Sequence, residues 1–145
     1  MSDIKKVSVI GAGVMGSGIA AQVANAGVPV VLLDIVPPKL EDFGGNRNAF
    51  AEGAVEKMLK ADPAPFMRKR NAKLIETGNL EDDLDKLADV DWIIEVVVEN
   101  LAIKHKTYET LEKHRKKGSI ISSNTSTIPL YKLSEGQPDS FKQDF

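Results

Sequence analysis

At 145 residues the chain is long enough to bury one full core, and a net charge of −2 with intermixed acids and bases leaves no basic stripe for a nucleic acid. It contains no cysteine, which excludes disulfides and a thiol nucleophile. The longest apolar run, 28–33, is too short to span a membrane, and Met1-Ser-Asp-Ile-Lys-Lys lacks the apolar centre of a signal peptide, so a cytoplasmic protein is expected.

Strand and helix patterns alternate almost throughout. This predicts an α/β fold of the Rossmann type, with a doubly wound parallel sheet between two helical layers. A first strand is expected at 6–10, running straight into Gly11-Ala-Gly-Val-Met-Gly16. An apolar helix follows over 14–26, with Ile19, Val23 and Ala26 inward and Gly27 closing it. The second strand spans 28–33, with Pro29 near its start, where a missing N–H is tolerated, and Asp34 at its end. Pro37 and Pro38 suit the first turn of a helix, but Gly44-Gly45-Asn46 is a poor helix interior, so 40–48 reads as a loop or broken helix.

Residues 49–61 form a helix with an apolar stripe of Val55, Met58 and Leu59, ended by Asp62-Pro-Ala-Pro65. One or two basic turns at 66–71, a short strand at 73–76 and a small helix at 81–88 come next, with Asn79 as N-cap. Asp91-Trp-Ile-Ile-Glu-Val-Val-Val98 is the most strand-like run, and its nearly continuous apolar character fits a strand buried on both faces. An amphipathic helix over 101–117 turns Leu101, Tyr108 and Leu111 inward, and Gly118 leads to a fifth strand at 119–122. Ser123-Asn-Thr-Ser126 is a turn, Pro129 starts a short helix, and from Ser134 the residues are polar and aromatic without periodicity.

The glycine stretch carries the first chemistry. A strand precedes Gly11, Gly13 and Gly16, a helix follows, and Asp34 ends the next strand 18 residues beyond Gly16, which is a dinucleotide-binding arrangement. Gly11 permits the tight turn, Gly13 lets a pyrophosphate approach the backbone, and Gly16 lets the helix lie against the sheet. The helix start, through Ala12, Val14 and Met15, points unpaired N–H groups and its positive dipole end at the phosphates. The Asp34 carboxylate suits the two hydroxyls of an adenosine ribose. A 2′-phosphate there would bring like charges together at a cost of several kcal/mol, and Ile35 and Val36 follow instead of an arginine. NAD is therefore expected over NADP, and no metal is expected.

Three stretches now line up in order: Gly11-Ala-Gly-Val-Met-Gly16, Asp91-Trp-Ile-Ile-Glu-Val-Val-Val-Glu-Asn100, and Ser122-Ser-Asn-Thr-Ser126. Together they resemble the NAD-binding domain of the 3-hydroxyacyl-CoA dehydrogenases of fatty-acid β-oxidation, over residues 7–145. The resemblance implies that Glu99 and Lys104 contact the nicotinamide half of NAD and that Asn124 stands at the same end. It implies that the Ser126 hydroxyl touches both cofactor and the 3-oxygen of a 3-hydroxyacyl-CoA, and that Lys57 meets CoA phosphates. Taken on residue type alone, Glu99 and Lys104 are also readable as a solvated pair at a helix start, and Asn124 and Ser126 as turn formers.

Oxidising a 3-hydroxyl needs a base within hydrogen-bond reach. In the family this resembles a His oriented by a Glu, in a His-Phe-Phe-Asn-Pro run beyond Ser-Asn-Thr-Ser. His105 and His114 both fall on the helix after the fourth strand and read as surface residues. The expectation is a cofactor-binding piece, truncated before a C-terminal helical domain, that binds NAD without turnover and is itself a monomer, the full-length enzyme being a homodimer. An NAD-sensing or structural module, or another β-hydroxyacid dehydrogenase, is the alternative. Tyr-x-x-x-Lys is absent, since Glu112 and Glu135 stand four residues after Tyr108 and Tyr131, which excludes a short-chain dehydrogenase. No lysine follows Gly16, which excludes a P-loop.

Overall fold

Five strands form one parallel sheet in the order β3-β2-β1-β4-β5. They are β1 (Val7–Ile10), β2 (Val30–Asp34), β3 (Ile75–Asn79), β4 (Trp92–Glu95) and β5 (Ile120–Ser123). This is a computed structural model that describes residues 3–145, so the Met1 and Ser2 part of the leader reading lies outside the described residues. β1 is central, with Val7 opposite both Val30 and Trp92, and all four of its residues are buried. Such a strand is covered on both faces and flanked on both edges. The strand order reverses direction between β1 and β4, which opens a crevice at the carboxyl ends of these strands.

Helices cover both faces, giving three layers. On one face α1 (Val14–Asn25) and α2 (Ala49–Lys60) pack over Val9, Val30 and Leu32. On the other, α3 (Leu101–His114), α4 (Leu130–Ser134) and α5 (Asp139–Asp144) close over Ile10, Val31, Leu33, Ile93 and Ile121. Among the described residues no helix is long and apolar enough to cross a membrane.

Several elements differ from their sequence expectation for identifiable reasons. α1 buries Gly16, Ser17, Ala20, Ala21 and Ala24, whereas Ile19 and Val23 sit at the edge of the contact and Ala26 is exposed. Small residues face the sheet because the helix starts directly from the strand and lies close against it. β3 runs 75–79 instead of 73–76, since 69–74 wind as 3₁₀ turns and the strand continues through Gly78. A Cβ on Gly78 would lie 2.6 Å from the Asp83 carboxylate and 2.9 Å from Leu33, so glycine marks a close approach here. The 81–88 helix is a 3₁₀ segment at 84–89, and the Asn79 side chain instead caps the turn before it by accepting from the N–H groups of Glu81 and Asp82.

β4 stops at Glu95, four residues long where eight are strand-like, because the Glu95 carboxylate takes the Val97 N–H at 2.9 Å and turns the chain out of the ladder. α3 ends at His114, ahead of the expected 117. The next residue, Arg115, spreads its guanidinium over Glu112, Asp144 and the Ser140 carbonyl and so pins α5 to the end of α3. The stretch after Ser134, without periodicity in the sequence, forms a short helix. α5 buries Phe141 completely, its ring 4.9 Å from Tyr108 and 5.1 Å from Phe145.

Candidate functional site

The rim along the carboxyl ends of β1, β2, β4 and β5 carries the glycine turn, Asp34, Glu99 and the 123–127 turn. Gly11 leaves β1 with φ +111°, and a Cβ there would meet the Val96 carbonyl oxygen at 2.5 Å. Gly16 faces the turn as well as the sheet: its Cβ would fall 1.8 Å from the Gly11 carbonyl oxygen and 3.5 Å from Val9. Around Gly13 nothing lies within 4 Å of a Cβ. The space beside Gly13, at the N-terminus of α1, is therefore open to a ligand, which fits a pyrophosphate against unpaired N–H groups. Val14 and Met15, 85% and 57% exposed, flank the opening.

Asp34 reaches back to this turn. One carboxylate oxygen accepts from the Ala12 N–H at 2.7 Å and the other from the Ile35 N–H at 2.6 Å. Two cavities flank these elements. One, of about 450 Å³, lies between the start of α1 and α2 and is lined by Gly13, Gly18, Lys57, Met58 and Pro65. The other, about 340 Å³, opens beside Ile35 and is lined by Leu80, Ile103, Lys106 and Thr107. The second contains groups that the sequence reading missed, because Ile35, Leu80 and Ile103 come from three separate elements.

Across the rim, Glu99 braces the turn after β5. One oxygen accepts from Thr125 Oγ1 at 3.0 Å, from Thr127 Oγ1 at 2.8 Å, and from the Ser126 and Thr127 N–H groups at 3.3 Å. The other lies 3.1 Å from the Lys104 ammonium. The Thr127 hydroxyl, then the Lys104 ammonium, hold the Glu99 carboxyl down at about 2. Lys104 is not a solvated residue: its side chain is 1% exposed and its Nζ is also 2.7 Å from Glu95. Asn124 and Ser126 are exposed at the rim, and the Asn124 N–H continues the β4 ladder onto the Glu95 carbonyl.

Glu95 is the other residue that sequence reasoning passed over, as a member of an apolar strand. It is fully buried and collects Tyr108, Lys104 and Ser123. Burial, then the Glu95 carboxylate, push the Tyr108 hydroxyl far above its ordinary range, so it donates at any working pH. The signal for Glu95 was present: a lone acid inside apolar residues, nine before a lysine and thirteen before a tyrosine on the next helix. The histidines stand apart. His105 Nε2 lies 2.7 Å from the Lys132 carbonyl and His114 Nδ1 lies 2.9 Å from the Thr110 carbonyl. Among the described residues no cluster of three or more potential metal ligands occurs.

Comparison with known proteins gives this geometry its family. The family described as "3-hydroxyacyl-CoA dehydrogenase, NAD binding domain" matches residues 6–142. A protein of Deinococcus radiodurans named "probable 3-hydroxyacyl-CoA dehydrogenase" is 56% identical over 98% of this chain and 40% of its own length. One of the same name from Bacillus subtilis is 49% identical over 98% of this chain and 19% of its own. The crystal structure of FadB2 from M. tuberculosis superposes with a TM-score of 0.67 at 31% identity, covering 92% of this chain and 45% of that one. The chain thus spans less than half the length of these relatives, and it belongs to the family of 3-hydroxyacyl-CoA dehydrogenase NAD-binding domains.

Proposed function

We propose that this chain provides the cofactor half of an NAD-dependent dehydrogenase of fatty-acid β-oxidation, which oxidises the 3-hydroxyl of a 3-hydroxyacyl-CoA to the 3-ketone. The observation that carries the reading is the shared rim. The glycine turn is tied to Asp34 through Ala12 on one side of the strand reversal, and the Glu99-braced turn with Asn124 and Ser126 lies on the other. The names of the 56% and 49% identical relatives support the substrate class.

Backbone N–H groups at the start of α1, from Gly13 to Gly16, bind the pyrophosphate, those of Gly11 and Ala12 being spent on the Leu33 carbonyl and the Asp34 carboxylate, and Asp34 accepts from the adenosine ribose hydroxyls. The cavity of Ile35, Leu80, Ile103 and Thr107 beside Asp34 takes the adenine, being apolar at its floor. When bound, NAD supplies the acceptor for the hydride that leaves carbon 3. Glu99 and Asn124 orient the nicotinamide end. Lys104 serves it through Glu99, since its ammonium is enclosed between two carboxylates. Ser126 donates a hydrogen bond to the substrate 3-oxygen, and Lys57, at the cavity beside Gly13, neutralises CoA phosphate. The hydroxyl proton passes to a base that neither His105 nor His114 provides, the first being engaged with the Lys132 carbonyl of α4 and the second with the Thr110 carbonyl of α3.

The reading includes a cytoplasmic location, a monomeric state for this chain and a homodimer for the longer enzyme. Mixing the chain with NADH and then acetoacetyl-CoA tests the assignment. Saturable quenching of NADH fluorescence and binding of acetoacetyl-CoA that Lys57→Ala weakens are expected, with no NADH consumed. Absence of NADH binding, or turnover by this chain alone, would overturn it.

A further inference from the structure

Glu95 ends β4 with no exposed surface, yet four donors converge on its carboxylate: the Tyr108 hydroxyl, Lys104 Nζ at 2.7 Å, Ser123 Oγ at 2.8 Å and the Val97 N–H at 2.9 Å. Burying a carboxylate and an ammonium together is weak grounds for stability, since apolar residues of similar size often serve the fold as well. A fully satisfied buried network does, however, fix directions in space. Here the directions lead to the site. The Lys104 ammonium is held between two carboxylates, 2.7 Å from Glu95 and 3.1 Å from Glu99, and Glu99 in turn accepts from the 125–127 segment.

We propose that Glu95 is a positioning residue for the nicotinamide end of the cofactor site, acting through Lys104 on Glu99 and directly through Ser123 on the turn that carries Asn124 and Ser126. It touches neither cofactor nor substrate, being wholly enclosed. The proposal rests on the reading of Glu99 and the 123–127 turn as that end of the site. The adenosine end is built by the glycine turn and Asp34, neither of which hydrogen-bonds to the Glu95 side chain.

Glu95→Gln keeps the shape and removes the charge. NADH affinity, read by fluorescence titration of the chain, is expected to fall about tenfold, the lower range for loss of an outer-shell partner. The affinity for ADP-ribose, which lacks the nicotinamide, stays within twofold of the wild type by competition. In a Lys104→Met background the same substitution costs less than in the wild type, because the route through Lys104 is already lost and only the contact with Ser123 remains. Equal weakening of both ligands, no weakening of either, or additive losses would overturn the proposal. Should Glu95→Gln not fold, Tyr108→Phe removes one donor while keeping the ring on Phe141, and the same NADH-selective loss is expected; no such selectivity overturns the proposal. A wild-type chain that binds neither NADH nor ADP-ribose would instead overturn the cofactor reading, and this proposal with it.

Discussion

The backbone N–H of Ala12 donates to the Asp34 carboxylate across 2.7 Å, and this bond ties the end of β2 to the glycine turn at the end of β1. On the proposed reading the acid is aimed before a ribose arrives, which lowers the ordering cost of binding. Asp34→Ala is expected to weaken NADH binding by about 10- to 100-fold, the size of lost hydrogen bonds to a charged group. It also narrows the gap between NADH and NADPH. Fluorescence titration of both cofactors against the variant checks this, and unchanged affinity for both would remove Asp34 from the ribose.

Gly13 and Gly16 serve different ends, and alanine separates them. At Gly13 a methyl group meets no protein atom within 4 Å and the backbone is extended, so Gly13→Ala should change stability by no more than about 1 kcal/mol. NADH affinity should nevertheless drop sharply, since the methyl occupies the pyrophosphate's approach. At Gly16 the methyl would fall 1.8 Å from a backbone oxygen, and Gly16→Ala should cost on the order of 1–3 kcal/mol of stability as well as binding. Urea unfolding beside NADH titration distinguishes the two patterns.

Glu99 predicts an acid-dependent term. Its carboxyl is lowered from 4.5 to about 2, chiefly by the Thr127 hydroxyl and the Lys104 ammonium. A carboxyl lowered on folding stabilises above its unfolded value and loses that contribution as pH falls toward its folded one. The stability difference between wild type and Glu99→Gln should therefore be fully present above about pH 5, shrink below about pH 4.5 and be nearly gone at about pH 2. Unfolding midpoints across that range read it directly, and a gap that stays constant would disprove the assignment.

Phe141 gives a test of the fold itself. Its ring is fully buried between Tyr108 and Phe145, and Arg115 fastens the same helix. Phe141→Ala should destabilise the chain by about 3–5 kcal/mol in urea unfolding. A loss of under 1 kcal/mol would mean that α5 is not part of the core.

Much of the sheet and the glycine turn at the end of β1 were legible because their signals are local. Val7-Ser-Val-Ile before three spaced glycines, and an acid ending the next strand, all fall within one βαβ unit. Signals that depend on distant partners were not legible. Glu95 passed as one member of an apolar strand until α3 brought Lys104 and Tyr108 over it. The third strand was expected to end at residue 76, although it runs on through Gly78, which marks the close approach of Asp83 and Leu33. Phe141 carried no helical repeat because α5 is only six residues long and its burial comes from Tyr108 and Phe145.

The most direct measurement places NADH and NADPH side by side against the wild-type chain. NADH should bind at least about tenfold more tightly, since a 2′-phosphate would meet the Asp34 carboxylate. Equal affinity, or a preference for NADPH, would contradict the central claim that this acid holds an unphosphorylated ribose.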